Sequence, residues 1–139
     1  MTTVSAQAPV RLEVASGGHV PLQARLFYDP ADPYAVQARF LDGPALLARW
    51  HFDRQMLADG LRRRVGEGDV VFAPQQDGYG RVAAVRIQLR GHTDGDGRPA
   101  ALLMDADVLG GFLEETYAVT PVGSETPDLD RFLADVLAH

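Results

Sequence analysis

Residues 28–36 read Tyr28-Asp29-Pro30-Ala31-Asp32-Pro33-Tyr34-Ala35-Val36, two Asp-Pro pairs three residues apart between two runs of alternating apolar residues. Each proline fixes its own φ and pushes the aspartate before it toward extended geometry. The stretch is therefore a stiff connector, and the runs it joins, Val20 to Tyr28 and Ala35 to Leu41, read as two strands held in register. A rigid joint is first a device for placing strands, so Tyr34 is expected to pack inward, with a partner contact as the alternative.

Outward from that joint the strand pattern continues. Val10, Leu12 and Val14 alternate with Arg11 and Glu13, and Asp42-Gly43-Pro44 turns the chain into a further run from Leu46 to Phe52. Connections this short suit antiparallel pairing, because parallel strands need a crossover of a dozen residues or more. Asp53 has the character of a helix N-cap, with Met56 and Leu57 facing inward and Gly60 ending the helix in the left-handed conformation that glycine tolerates. Two more strands, Val70 to Ala73 and Val82 to Leu89, flank the turn Gln76 to Gly80, and a short strand over Ala100 to Met104 follows the polar loop Gly91 to Pro99.

Asp105 caps a helix running to about Tyr117, with Val108, Leu109, Phe112 and Leu113 on one face. Thr126-Pro127 opens a last helix whose Leu129, Phe132, Leu133, Val136 and Leu137 form the cleanest amphipathic stripe in the chain. This stripe is expected to cover the protein's own core rather than a neighbouring subunit. Strands first and helices late make an α+β fold with antiparallel sheets and about three helices, two of them C-terminal.

The chain of 139 residues is about one domain long, with 46% hydrophobic and 23% charged residues, ordinary globular usage. The formal net charge of -6 lacks the electrostatic signature of a nucleic-acid binder. All 13 basic residues are arginine, which reads as codon pressure in a GC-rich bacterial genome. No cysteine is present, so disulfides, thiolate metal sites and cysteine nucleophiles are excluded. With no cationic start leading into an apolar run and no stretch of about 18 apolar residues, a soluble cytoplasmic protein without direct membrane insertion is expected.

Candidate chemistry is sparse. His19, His51, His92 and His139 are isolated rather than spaced as metal ligands, and Asp94-Gly95-Asp96-Gly97 begins like a calcium loop but places Arg98 and Pro99 where a ligand and a glycine are required. Adjacent Glu114 and Glu115 point about 100° apart on a helix and cannot flank one bond as a catalytic pair. Ser124 follows no strand and lacks the second glycine of a nucleophile elbow, while Gly66-Glu67-Gly68-Asp69 leads into a strand rather than a phosphate-binding helix N-terminus. No residue set assembles an active site, so no catalytic residue, metal or cofactor is expected. Arg62, Arg63 and Arg64 form the only dense basic run, a solvated edge or a surface for an acidic partner. Trp50, the sole tryptophan, is a core anchor first and an interface contact second.

Four segments taken together resemble the SsgA-like sporulation and cell-division proteins of actinobacteria: Leu26 to Tyr28 with Asp29; Asp32-Pro33-Tyr34-Ala35-Val36; Trp50-His51-Phe52-Asp53-Arg54 with Leu57 and Gly60; and Gly68-Asp69-Val70-Val71. The resemblance makes residues 1–139 a single SsgA-like domain, with residues 1–9 as a flexible tail. It implies a fold similar to the whirly-type single-stranded nucleic-acid-binding architecture, with two antiparallel sheets, assembled as a homo-oligomer, most simply a trimer. The activity it implies is not enzymatic. Members regulate sporulation-specific septation by placing the tubulin-like protein FtsZ at future septa, in concert with an SsgA-type paralogue, so the protein is expected in the cytoplasm and at the septum. Gln55 stands where members commonly carry an acidic residue. Arg62, Arg63, Arg64, Tyr34 and Trp50 are the candidate partner contacts. The alternative is a single-stranded nucleic-acid-binding module, which rests on the fold likeness and the three arginines.

Overall fold

The computed structural model describes residues 2–90 and 100–125. Its elements are β1 (Val4–Glu13), β2 (His19–Tyr28), β3 (Ala35–Asp42), β4 (Ala45–Asp53), α1 (Arg54–Gly60), β5 (Val70–Gln76), β6 (Val82–Leu89), β7 (Ala100–Asp105) and α2 (Ala106–Val119). The Asp-Pro joint does join β2 to β3. Asp29 Oδ1 accepts from the Ala31 amide at 2.9 Å, and the Tyr28 hydroxyl donates to the Pro33 carbonyl at 3.1 Å, so the turn is fastened at both ends.

Strands β1 to β4 form an antiparallel meander, and β5 to β7 form a second one. The two are not separate sheets. Antiparallel pairing of Val10, Arg11 and Leu12 with Met104, Leu103 and Leu102 fuses them into one seven-stranded sheet in the order β4-β3-β2-β1-β7-β6-β5. The expected two-sheet arrangement is corrected on this point: the join pairs residues about ninety positions apart, which local alternation cannot reveal. The sheet is curled, because Phe52 of β4 meets Phe72 of β5 edge-to-face at 5.2 Å although their strands lie at opposite ends of the order.

The first strand starts at Val4, so the tail expected over residues 1–9 is largely strand. Val4 and Ala8 are buried, with Ser5, Gln7 and Pro9 on the opposite face. The period of two is present there, but it is carried by small alanines that give weak contrast. The inner face of the sheet, with Val10, Leu26, Val36, Phe40, Val85, Ile87 and Met104, packs against Leu57 of α1 and Leu109, Phe112 and Leu113 of α2 in one core. Each such side chain contributes about 1.5–3 kcal/mol when fully removed from water.

Both expected caps are present. Asp53 accepts from the Met56 amide and Asp105 from the Val108 amide, at 2.9 and 3.0 Å. Gly60, however, is the last residue of α1 and not a left-handed terminator. The cap is Leu61 in right-handed geometry, and Gly60 is required because a Cβ there would lie 2.6 Å from Phe72 Cβ. The left-handed glycine falls later, at Gly66 with φ 99°. The helix expected from Thr126, its apolar stripe and the Gly91 to Pro99 loop lie outside the described residues.

Candidate interaction site

Arg54 follows the N-cap of α1, yet its guanidinium is turned away from water and only 2% exposed. One nitrogen, Nη1, donates to the Thr116 carbonyl at 3.1 Å and the Thr120 carbonyl at 2.8 Å, and Nη2 pairs with Glu125 Oε1 at 2.9 Å. The Tyr28 and Tyr117 rings flank the group, 5.0 and 4.0 Å from its central carbon. The two carbonyls belong to the end of α2, which has no basic residue of its own in its last turn. Arg54 therefore supplies from α1 the positive charge that the negative end of the α2 dipole favours. Glu125 is held below the usual carboxylate range by its own amide and that of Gly123, with Arg54 adding to this, while burial pushes the Tyr117 hydroxyl upward.

Tyr34 belongs to the same cluster. Its backbone carbonyl accepts from the Arg54 amide at 2.7 Å, and its hydroxyl donates to the Glu125 carbonyl at 3.3 Å. The ring is 50% exposed, so the expectation that it packs inward is corrected: the stiff joint presents it at the surface, pinned by its tip. Trp50 is half-buried, stacks on Phe52 with centroids 6.3 Å apart and packs against the core, as an anchor does. Arg62 and Arg63 fold back on the two oxygens of Asp59 at 3.2 and 3.3 Å, and Arg64 is exposed. The basic run and Tyr34 are thus bound to different acidic residues and do not make one site. Gln55 donates to Asp59 and accepts from the Tyr117 hydroxyl, bridging α1 and α2.

A second feature was not legible in the sequence. On the outer face of the sheet, Gln7, Arg25, Arg39 and Arg49 lie directly opposite one another across β1, β2, β3 and β4. The row on one side holds Ser5, Phe27, Gln37 and His51, and the row on the other Pro9, Gln23, Leu41 and Leu46. Neither row contains an acid. Arg25, Arg39 and Arg49 are exposed, and among the described residues they make no ion pair. Phe27 and Leu46 are 41% and 43% exposed beside them, and a hollow of about 560 Å³ opens along β1 to β3 over Arg25, Phe27, Gln37 and Arg39. Glu13, farther along β1, is taken up by a two-pronged pair with Arg86 at 2.9 Å, which lowers its carboxyl and raises the arginine.

Among the described residues, no cluster of three or more His, Asp or Glu side chains is placed to hold a metal ion, and no helix is long and apolar enough to cross a membrane. His92, His139 and Asp94 to Gly97 lie outside those residues.

Comparison with known proteins gives the architecture its relatives. The family described as Streptomyces sporulation and cell division protein, SsgA, matches residues 22–125. The sporulation-specific cell division protein SsgB of Streptomyces coelicolor is 40% identical over 141 residues, covering 99% of this chain and 98% of that protein. SsgB of Frankia casuarinae is 36% identical, over 95% of this chain and 90% of its own length. The crystal structure of an SsgA-like sporulation-specific cell division protein from Thermobifida fusca superimposes with a TM-score of 0.81 at 36% identity, covering 96% of this chain and 95% of that one. A second solved structure, from work linking mutations in SsgB to longitudinal cell division in Streptomyces coelicolor, gives 0.78 at 39% identity over 89% and 93%. The family match spans most of β2 through the end of α2, the relatives are matched over most of their own length, and the chain belongs to the SsgA family of sporulation and cell division proteins.

Proposed function

We propose that the protein is a non-enzymatic adaptor of cell division that helps place septa during sporulation by binding the tubulin-like protein FtsZ. The observation that carries this reading is the kinship, over nearly the full length of both partners, with proteins named sporulation-specific cell division protein SsgB. The geometry agrees with an adaptor. The most deeply buried charge among the described residues, Arg54, is engaged by two carbonyls, a carboxylate and two aromatic rings, which makes it a structural clamp rather than a reacting group. In this reading the protein works as a homo-oligomer, a trimer, alongside an SsgA-type paralogue, and it reaches the septum through its partners.

Co-sedimentation with FtsZ polymers tests the proposal, and binding at micromolar concentration is the expected result. If the protein stays in the supernatant while FtsZ polymers pellet unaltered, FtsZ recruitment is refuted. Light scattering tests the trimer separately.

A further inference from the structure

We propose that the outer face of β2 to β4 is a docking surface for a short acidic segment of a partner protein, read by Arg25, Arg39 and Arg49. Like charges set directly opposite one another weaken a sheet, and here three arginines face one another across successive strands with no acid in their row or in either neighbouring row. The chain has acids to spare, since its net charge is -6. Arg62 and Arg63 are matched to Asp59, and Arg86 to Glu13, whereas the three aligned arginines have no such carboxylate among the described residues.

The spacing defines the ligand. Neighbouring strands lie about 4.8 Å apart, so the row extends for about 10 Å, the span of two or three carboxylates at alternating positions of an extended peptide. Arginine forks suit carboxylates, which they grip through two parallel bonds. Phe27 on one side and Leu46 on the other add exposed apolar contact, so apolar residues interleaved with the acids would also be held. A long nucleic acid carries one charge per nucleotide far beyond this strip and meets the repulsion of an acidic protein. The proposal does not depend on FtsZ being the partner.

The test is fluorescence anisotropy of the full chain with a labelled peptide of about ten residues in which Glu alternates with Leu. Binding is expected at low salt and should weaken as the Debye length shrinks below about 10 Å. Arg25→Glu and Arg39→Glu should each weaken it at least about tenfold, and the neutral Arg39→Gln by less. Arg81→Gln, on the turn before β6 and outside the surface, should change nothing. Absence of binding, or equal binding by the Arg39 variants, overturns the proposal. So does tighter binding of a thymidine oligonucleotide of equal length, or a change of oligomeric state in Arg39→Glu seen by light scattering. Because the probe is synthetic, its failure removes this surface and leaves FtsZ recruitment standing, whereas failure of FtsZ co-sedimentation removes FtsZ recruitment and leaves this surface standing.

Discussion

Replacing Arg54 by methionine tests whether one buried guanidinium clamps α2 to the rest of the protein. Its contacts set what is lost, the pair with the solvent-reached Glu125 being the smallest part. The Thr120 carbonyl, which accepts from Arg54 at 2.8 Å, loses that partner, a cost of about 1–3 kcal/mol for a buried polar group. The Thr116 carbonyl keeps the Thr120 amide at 2.8 Å and loses less. The end of α2, which has no basic residue in its last turn, loses the charge that Arg54 supplies, up to about 2 kcal/mol in a partly buried setting. The two tyrosine rings lose their cation, about 0.5–2 kcal/mol. Against this, methionine keeps most of the stem's packing and needs no desolvation of charge. A net loss of about 2–4 kcal/mol remains, and a chain of 139 residues loses about 3–4 °C in Tm per kcal/mol, so Arg54→Met should melt about 6–16 °C lower. Arg54→Lys keeps the charge but not the flat fork, so it should fall about half as far. Glu125→Gln should shift least, because the glutamate is reached by solvent. Circular dichroism melts with matched urea titrations measure all three. If Arg54→Met is as stable as the parent, desolvation dominates and the clamp is not one. If Glu125→Gln falls as far as Arg54→Met, the ion pair rather than the helix end carries the energy.

Gly60→Ala places a Cβ 2.6 Å from that of Phe72 in the middle of the core, so it should cost about 1–3 kcal/mol by urea denaturation despite alanine's better helix propensity. Gly66→Ala combines φ 99° with a clash against the Val70 carbonyl and should cost at least about 1 kcal/mol. The Glu13 carboxyl is lowered in the folded protein from 4.5 by its bonds to Arg86, so its contribution is fully present above that pH and fades as pH falls through the lowered value; Arg86 stays charged throughout. Glu13→Gln should therefore narrow the stability difference between pH 6 and pH 3, and an unchanged acid limb of the Tm profile would remove this pair from the explanation. Arg39→Thr relieves two like-charge contacts and should raise stability by about 0.2–1 kcal/mol in low salt, less in high salt.

What the sequence revealed and what it hid follow from the range of the interactions. The Asp-Pro joint, the strands on either side of it and the caps at Asp53 and Asp105 are decided within a few residues, and they are legible. The fusion of two meanders through β1 and β7 is decided by pairing between distant segments, and alternation alone is silent on it. The role of Arg54 was hidden for a similar reason, although a signal existed. An arginine in the first turn of a helix is at the wrong end of that helix's dipole, which points to a purpose in another element. Tyr34 was misread because rigidity of the joint fixes where the backbone goes, not which side of it the ring takes. Arg62 to Arg64 drew attention by being consecutive, and Asp59, one turn earlier, had already claimed two of them.

The arginines of this chain divide by what faces them, and the division bears on how an acidic protein keeps a basic surface. Arg54 and Arg86 are spent on cohesion, each locked to a carboxylate that it helps hold ionised. Arg25, Arg39 and Arg49 come from three different strands, each separated from the next in sequence by more than a turn's length, and only the registers of β2, β3 and β4 align them. Such a row cannot be assembled in an unfolded chain or a slipped sheet, since a slip of one residue would send every arginine to the core face. The bulge at Phe40 and Leu41 lies just beyond the row and leaves its alignment intact. A binding surface built this way exists only when the sheet is correctly registered. It follows that the stiff joint at residues 29–33, by fixing β2 against β3, governs the row as much as the fold: lengthening the joint by one glycine should lower peptide binding and the melting temperature together, because the Arg25 and Arg39 pairing shares its register with the buried Ala24 and Phe40. Full retention of both would show that the register is held by the core side chains instead.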